Sequence, residues 1–327
     1  MIVQVTRGGL VESQHTVAAY ACEAGGNTLF QSGNVDAPVY VRSSSKPFIA
    51  ATVIAAGARE RFGLDEREIA VMAASHSGEA IHVEAVRSLL HKIGLSESAL
   101  RCGAHLPYND LAARAMLARG ESPSAVHNNC SGKHAGILAL CTILGAPTQT
   151  YLDANHPAQR AILEFCARLC DDDARTWPVA VDGCGIPVYA TPLRKIALSF
   201  ARLATLRGIG EREARALEIV RGAMIAQPEY VAGAGEFDTE LMRAGEGTIV
   251  SKGGAEGMHG VAIVPHGAGY ASKVLDGAAR ARAPSSIAAL ERLGALSAAQ
   301  VDRLTTFARP VVYNRAGTSV GEIRVVV

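Results

Sequence analysis

The stretch Arg42-Ser43-Ser44-Ser45-Lys46-Pro47 sets three hydroxyls and a lysine ahead of an apolar run. On a helix, residues three apart share a face, so Ser43 faces Lys46 while Ser44 and Ser45 point elsewhere. A serine hydroxyl is a weak nucleophile until a base takes its proton. A half-desolvated lysine at a helix start can have its pKa lowered enough to be that base. The same spacing also fits a helix start whose serine only caps backbone amides. Two further stretches fit the chemistry. Ser75-His76-Ser77-Gly78-Glu79 gathers two hydroxyls, an imidazole and a carboxylate around a glycine. Ser251-Lys252-Gly253-Gly254 puts a lysine at a strand end beside paired glycines. Such glycines let a substrate lie against the strand backbone, whose N–H groups can hold an oxyanion. Taken alone, this last stretch would also fit a tight hairpin turn.

A serine–lysine pair, a second serine motif and a lysine–glycine strand occur in the same order in serine β-lactamases and penicillin-binding proteins. A second constellation is foreign to that pattern. His127-Asn-Asn-Cys130-Ser-Gly-Lys133-His134 sets Cys130 and Lys133 one helical turn apart if a helix begins near Ser131. Cys184 sits between glycines in a turn next to Asp182. Two thiolates and a third ligand could hold zinc tetrahedrally and leave one position open. Histidine is the commoner third ligand, which favours His134 or His127 by spacing; lysine ligates only when neutral. Inert buried thiols are the bland alternative. There are no paired C-x-x-C motifs, no H-E-x-x-H and no phosphate loop.

These residues need elements to position them. The 327 residues, 49% of them hydrophobic, can bury a large core. A formal net charge of +1 with mixed signs argues against nucleic-acid or membrane-surface binding through a basic patch. No apolar run reaches the roughly 20 residues of a membrane span. The N-terminus lacks the basic-then-apolar order of a signal peptide, so a cytoplasmic protein is expected. Seven cysteines, an odd number in a long chain, argue against a disulfide scaffold. Residues 1–41 read as strands and 46–60 as a helix with Pro47 in its first turn. Helical signals follow to about 177, the one after Gly132 almost wholly apolar and hence buried on most sides. Residues 178–192 are strand-like, helices return at 193–226, and residues 247–265 and 318–327 read as strands. The expected fold is α/β of the α+β kind, with a mostly antiparallel sheet from both chain ends and an inserted helical lobe. The division expected is a sheet subdomain of about 1–41 and 178–327 and a helical subdomain of about 42–177, forming one catalytic unit.

RSSSKPF, SHSGE, CGAHLPYND, HNNCSGKHAGIL, DGCGIP, AGAGEFDTELM and NRAGTSVGEIR together resemble the rhizobial-type L-asparaginase II family, over nearly the whole chain. The resemblance implies a serine β-lactamase-like and glutaminase-like fold, a homodimer, and hydrolysis of L-asparagine to L-aspartate and ammonia. It implies Ser43 and Lys46 as the first catalytic pair, and Ser75 with Lys252 as the second. It implies zinc on Cys130, Lys133 and Cys184, replacing histidine by lysine as third ligand. Arg42, Asp182, His134 and Gly254 form the expected substrate-side set. A glutaminase-like or β-lactamase-like amide hydrolase is the alternative within enzymes. A non-catalytic amino-acid-binding protein of the same fold is the alternative outside them.

Overall fold

The computed structural model describes residues 1–326. Val327, the last residue of the expected closing strand, lies outside the described residues. The strands are β1 (Ile2–Arg7), β2 (Leu10–Glu23), β3 (Thr28–Ser32), β4 (Pro38–Tyr40), β5 (Val179–Val181) and β6 (Pro187–Pro192). Five more follow: β7 (Ile249–Gly254), β8 (Met258–Ile263), β9 (Ala268–Val274), β10 (Val311–Tyr313) and β11 (Ser319–Val326). The helices before the second run of strands are α1 (Lys46–Ala55), α2 (Ala58–Phe62), α3 (Glu66–Met72), α4 (Ala80–Lys92), α5 (Asp110–Ala118), α6 (Ser131–Leu144) and α7 (Pro157–Cys170). Then come α8 (Leu193–Thr205), α9 (Glu211–Ala226), α10 (Pro228–Val231), α11 (Phe237–Ala244), α12 (Arg282–Arg292), α13 (Ala298–Arg303) and α14 (Thr305–Ala308).

The chain divides into two compact units. One comprises Met1–Ser44, Thr191–Thr205 and Glu240–Val327, the other Ser45–Ala190 and Leu206–Thr239. The first is built on a sheet of order β10-β11-β1-β2-β9-β8-β7, with β3 also paired to β2. Every registered pairing in it is antiparallel. Strands from both ends of the chain meet where β1 pairs β11, Ile2 opposite Val326. Alternation sends Val3, Val5, Val17, Val274 and Ile323 into one buried cluster with Ala281. Helix α8 packs on β2, β8 and β9, and α12 on β1, β8, β9 and β11. This is the mixed α/β fold with an antiparallel sheet drawn from both termini that the sequence led us to expect.

The second unit is helical, with β5 and most of β6 forming an antiparallel hairpin, Val179 opposite Tyr189. Helix α1 is buried from Lys46 to Ile54 and packs on α6, α7 and α9. Its sequence is apolar all round, as a helix enclosed on all sides requires. The expected helix 46–60 ends at Ala55, because Gly57 takes φ +92°, and restarts at Ala58. Helix α6 is buried from Ser131 to Cys141, as its composition predicts. Helices α12 to α14 fall between the two closing strand stretches, where the sequence had suggested no element; α12 packs its apolar stripe on the sheet. No helix among the described residues is long and apolar enough to cross a membrane.

Candidate active site

Within the helical unit the candidate chemistry converges on the start of α1. Lys46 is 1% exposed. Its Nζ donates to Ala74 O at 2.5 Å, to Ser75 Oγ at 2.9 Å and to Asn129 O at 3.5 Å. Burial lowers its pKa; the charge of Lys133 adds to the fall, while Cys130 and Cys184 oppose it. Ser75 is half-buried and follows α3 directly. Its segment is pinned by backbone bonds, Ser75 N–H to Val231 O, His76 N–H to Asn129 O and Ser77 N–H to Ala232 O. Glu79 finishes the segment by accepting from Ser77 Oγ at 2.6 Å and from Ala234 N–H at 3.2 Å. The sequence had offered Lys252 as the partner of Ser75; in this unit the lysine bonded to it is Lys46.

The second cluster stands at the start of α6. Asn128 Oδ1 accepts from Cys130 N–H at 2.8 Å and fixes the turn that enters the helix. Gly132 lets α6 lie directly on α3, since a Cβ there would come within 2.1 Å of Val71 O. Lys133, the next residue, is 2% exposed and donates to Cys184 Sγ at 2.9 Å. Cys184 Sγ lies 3.9 Å from Asp182 Oδ2, in a turn closed by Gly185 N–H to Asp182 O. The hydrogen bond from Cys184 holds the Cys130 thiol well below its ordinary value, aided by Lys133 and Lys46. That same bond raises Cys184, so the negative charge rests on Cys130. Burial opposes a charged Lys133, but Cys130 and Cys184 outweigh it and raise its pKa.

His134 turns elsewhere. It is fully enclosed, with Nδ1 2.7 Å from the Tyr151 hydroxyl. Tyr151 accepts from Arg101 N–H, so its own hydrogen goes to His134. Burial depresses the His134 pKa well below the imidazole range. Among the described residues no three His, Cys, Asp or Glu side chains are grouped to hold a metal. The donors that do converge are two thiols and the Lys133 amine, a set that fits zinc if the lysine gives up its proton.

The sheet unit carries the rest. Arg42 has φ +47°, an uncommon conformation for a residue with a side chain, immediately before half-buried Ser43. Gly254 at the end of β7 allows that turn to sit close: a Cβ there would lie 3.3 Å from both Arg42 Cβ and Ser43 N. Lys252 is fully buried and donates to Gly253 O at 2.6 Å. Behind it, Ser251 Oγ, His259 and Ser286 Oγ form a buried chain at 2.8 and 2.7 Å. Sequence reasoning did not single out Asn129, His259 or Ser286, whose partners only the fold brings together.

The two units thus hold a buried lysine–serine pair beside a thiol–amine cluster, and a strained serine turn against a glycine-edged strand, in a mixed α/β framework. The chain belongs to the L-asparaginase II family, whose profile matches residues 3–325. No curated protein matches it. Among solved structures it is similar to a candidate beta-lactamase from Bacteroides dorei DSM 17855, at 16% identity over 90% of this chain and 94% of that one, with a TM-score of 0.43. It is also similar to Mglu in its native form in 4.3M NaCl, at 14% identity over 85% of this chain, TM-score 0.37. A further Mglu structure matches at 13% identity over 86% of this chain and 67% of that one, TM-score 0.39. The chain covers 60% of the first of these Mglu chains.

Proposed function

We propose that this protein is an amidohydrolase that converts L-asparagine to L-aspartate and ammonia by serine–lysine catalysis. The observation that carries the reading is the bond from buried Lys46 to Ser75 in a chain of the L-asparaginase II family. Ser43 is the proposed nucleophile and Lys46, its charged form disfavoured by burial, the proposed base. The alkoxide attacks the side-chain amide carbon, and backbone N–H groups take the developing oxyanion. The proton returns to the departing nitrogen, which leaves as ammonia, and water then cleaves the β-aspartyl ester. Ser75 passes protons to and from Lys46, with Lys252 assigned to the same relay. Arg42, Asp182 and Gly254 frame the substrate. His134 belongs to the same proposed set, its Nδ1 held by the Tyr151 hydroxyl.

Cys130, Lys133 and Cys184 would hold zinc. When bound, the ion supplies positioning, because two thiolates blunt its Lewis acidity. Asp182, beside Cys184, is then oriented toward the α-amino group of the substrate. Operation as a cytoplasmic homodimer belongs to the same proposal; light scattering at micromolar concentration checks it, and a single-chain mass would contradict it.

One specific observation favours a second reading. The hydroxyl bonded to Lys46 in the helical unit is Ser75, which would make Ser75 the nucleophile and Lys46 its base. The test of the function itself is ammonia release on mixing the protein with L-asparagine and, separately, L-glutamine. Release from asparagine is expected. Release from glutamine alone would move the assignment to a glutaminase, and release from neither would leave a binding protein.

A further inference from the structure

The loop Cys102–Asn109 has no part in the function as proposed, yet it is fastened to both segments that hold Lys46. At its start, Asn128 Nδ2 donates to Cys102 O at 2.9 Å while Asn128 Oδ1 accepts from Cys130 N–H. At its end, Asn109 N–H donates to Ser77 O at 3.0 Å. Between them stands His105, half-buried and stacked on Tyr108 at a centroid distance of 4.6 Å. His105 Nδ1 is 2.7 Å from Leu106 O, which can only accept, so Nδ1 carries the hydrogen. Nε2 is then a bare lone pair, and it accepts from Asn129 N–H at 3.0 Å. The carbonyl of that same Asn129 accepts from Lys46 Nζ and from His76 N–H.

We infer that His105 is a positioning residue for the reaction: it fixes the Asn129 backbone and so aims the carbonyl that steers Lys46. The inference rests on the reading of Lys46 as the base. His105 itself touches no reacting atom. It sets where the Lys46 amine sits relative to its serine partner, and proton transfer is sensitive to small displacements of the base. A loss of this grip therefore slows the chemical step and leaves substrate binding nearly unchanged. An effect of general destabilisation would instead follow the amount of folded protein, and any side chain of similar size would serve.

The test compares the full-length wild type with His105→Leu and His105→Gln. The glutamine amide oxygen can take the Asn129 N–H in place of Nε2; leucine fills the space without an acceptor. The readouts are kcat and KM for L-asparagine, and hydrogen exchange of the Asn129 amide. The leucine variant is expected to lose about tenfold in kcat, with KM within twofold and faster exchange at Asn129. The glutamine variant is expected to recover both. If leucine does not fold, alanine takes its place. A leucine variant with wild-type kcat, or a glutamine variant no better than leucine, overturns the inference. If the wild type releases no ammonia from asparagine, the reading of the site has failed, and exchange alone decides for His105. Faster exchange in leucine restored by glutamine then upholds its grip on Asn129, and unchanged exchange overturns it.

Discussion

Lys46 and Lys133 are both buried in the helical unit, and their surroundings push them in opposite directions. At Lys46 burial dominates and outweighs Cys130 and Cys184, so its charged form is disfavoured. At Lys133 the charge on Cys130 and the bond to Cys184 outweigh burial, so its charged form is favoured while no ion intervenes. The positive charge of Lys133 also helps to lower Lys46. The difference teaches that burial alone does not make a lysine a base. Cys130 acts on both lysines, but at Lys133 the bond to Cys184 and the charge of Asp182 join it and tip the balance toward an ion pair. A lysine disposed to give up its proton and a lysine disposed to keep it thereby stand on separate helices of one unit.

The comparison breaks first at the serines. Ser43→Ala is expected to lower kcat by at least about 10³-fold with the fold intact, and Ser75→Ala by about 10²-fold. The opposite order would assign Lys46 to Ser75 as its nucleophile. Circular dichroism of both variants separates loss of chemistry from loss of fold.

A smaller effect is expected at the other lysine. Dialysis against a strong chelator, with zinc followed by elemental analysis, should raise KM for L-asparagine about tenfold and change kcat by less than threefold. Lys133→Met should do the same and lower the zinc content. A folded, metal-free enzyme with no kcat at all would place the metal in the chemical step. Full activity in a preparation without zinc would remove the metal from the account.

The smallest effect tests the scaffold. Gly132→Ala would drive a Cβ against the Val71 carbonyl, which is backbone and cannot swing aside. A destabilisation of about 1–3 kcal/mol in urea unfolding is expected. Gly136→Ala would meet the Met72 side chain instead, whose flexible thioether can move, and should cost less. Equal stabilities would mean that α6 does not need its close seat on α3.

The candidate residues stand out in the sequence because they come in compact motifs. Ser43 and Lys46 are three apart, Cys130 and Lys133 are three apart, and Cys184 stands in its own glycine turn. What could not be read is which motif meets which. Lys46 and Ser75 are 29 positions apart, and their bond depends on how α1 packs beside α3. Spacing also could not choose between Lys133 and His134. They are neighbours on α6, so only the places of Cys184 and Tyr151 reveal that one faces the thiols and the other a phenol. His105 lies in the stretch CGAHLPYND, and its partner Asn129 lies 24 residues on, so spacing alone gives it no role. The antiparallel sheet from both termini was legible from strand texture at the two ends, whereas α12 lays its apolar stripe on strands far apart in the chain, which its own spacing does not reveal.

The most direct test of the central claim is the initial rate of ammonia release from L-asparagine by the wild type and by Lys46→Met at equal zinc content. Methionine keeps the unbranched stem in the same pocket and removes the amine. Serine–lysine hydrolysis predicts release by the wild type and a fall of at least about 10³-fold in the variant. A folded Lys46→Met protein that keeps its rate within about tenfold of the wild type would contradict it.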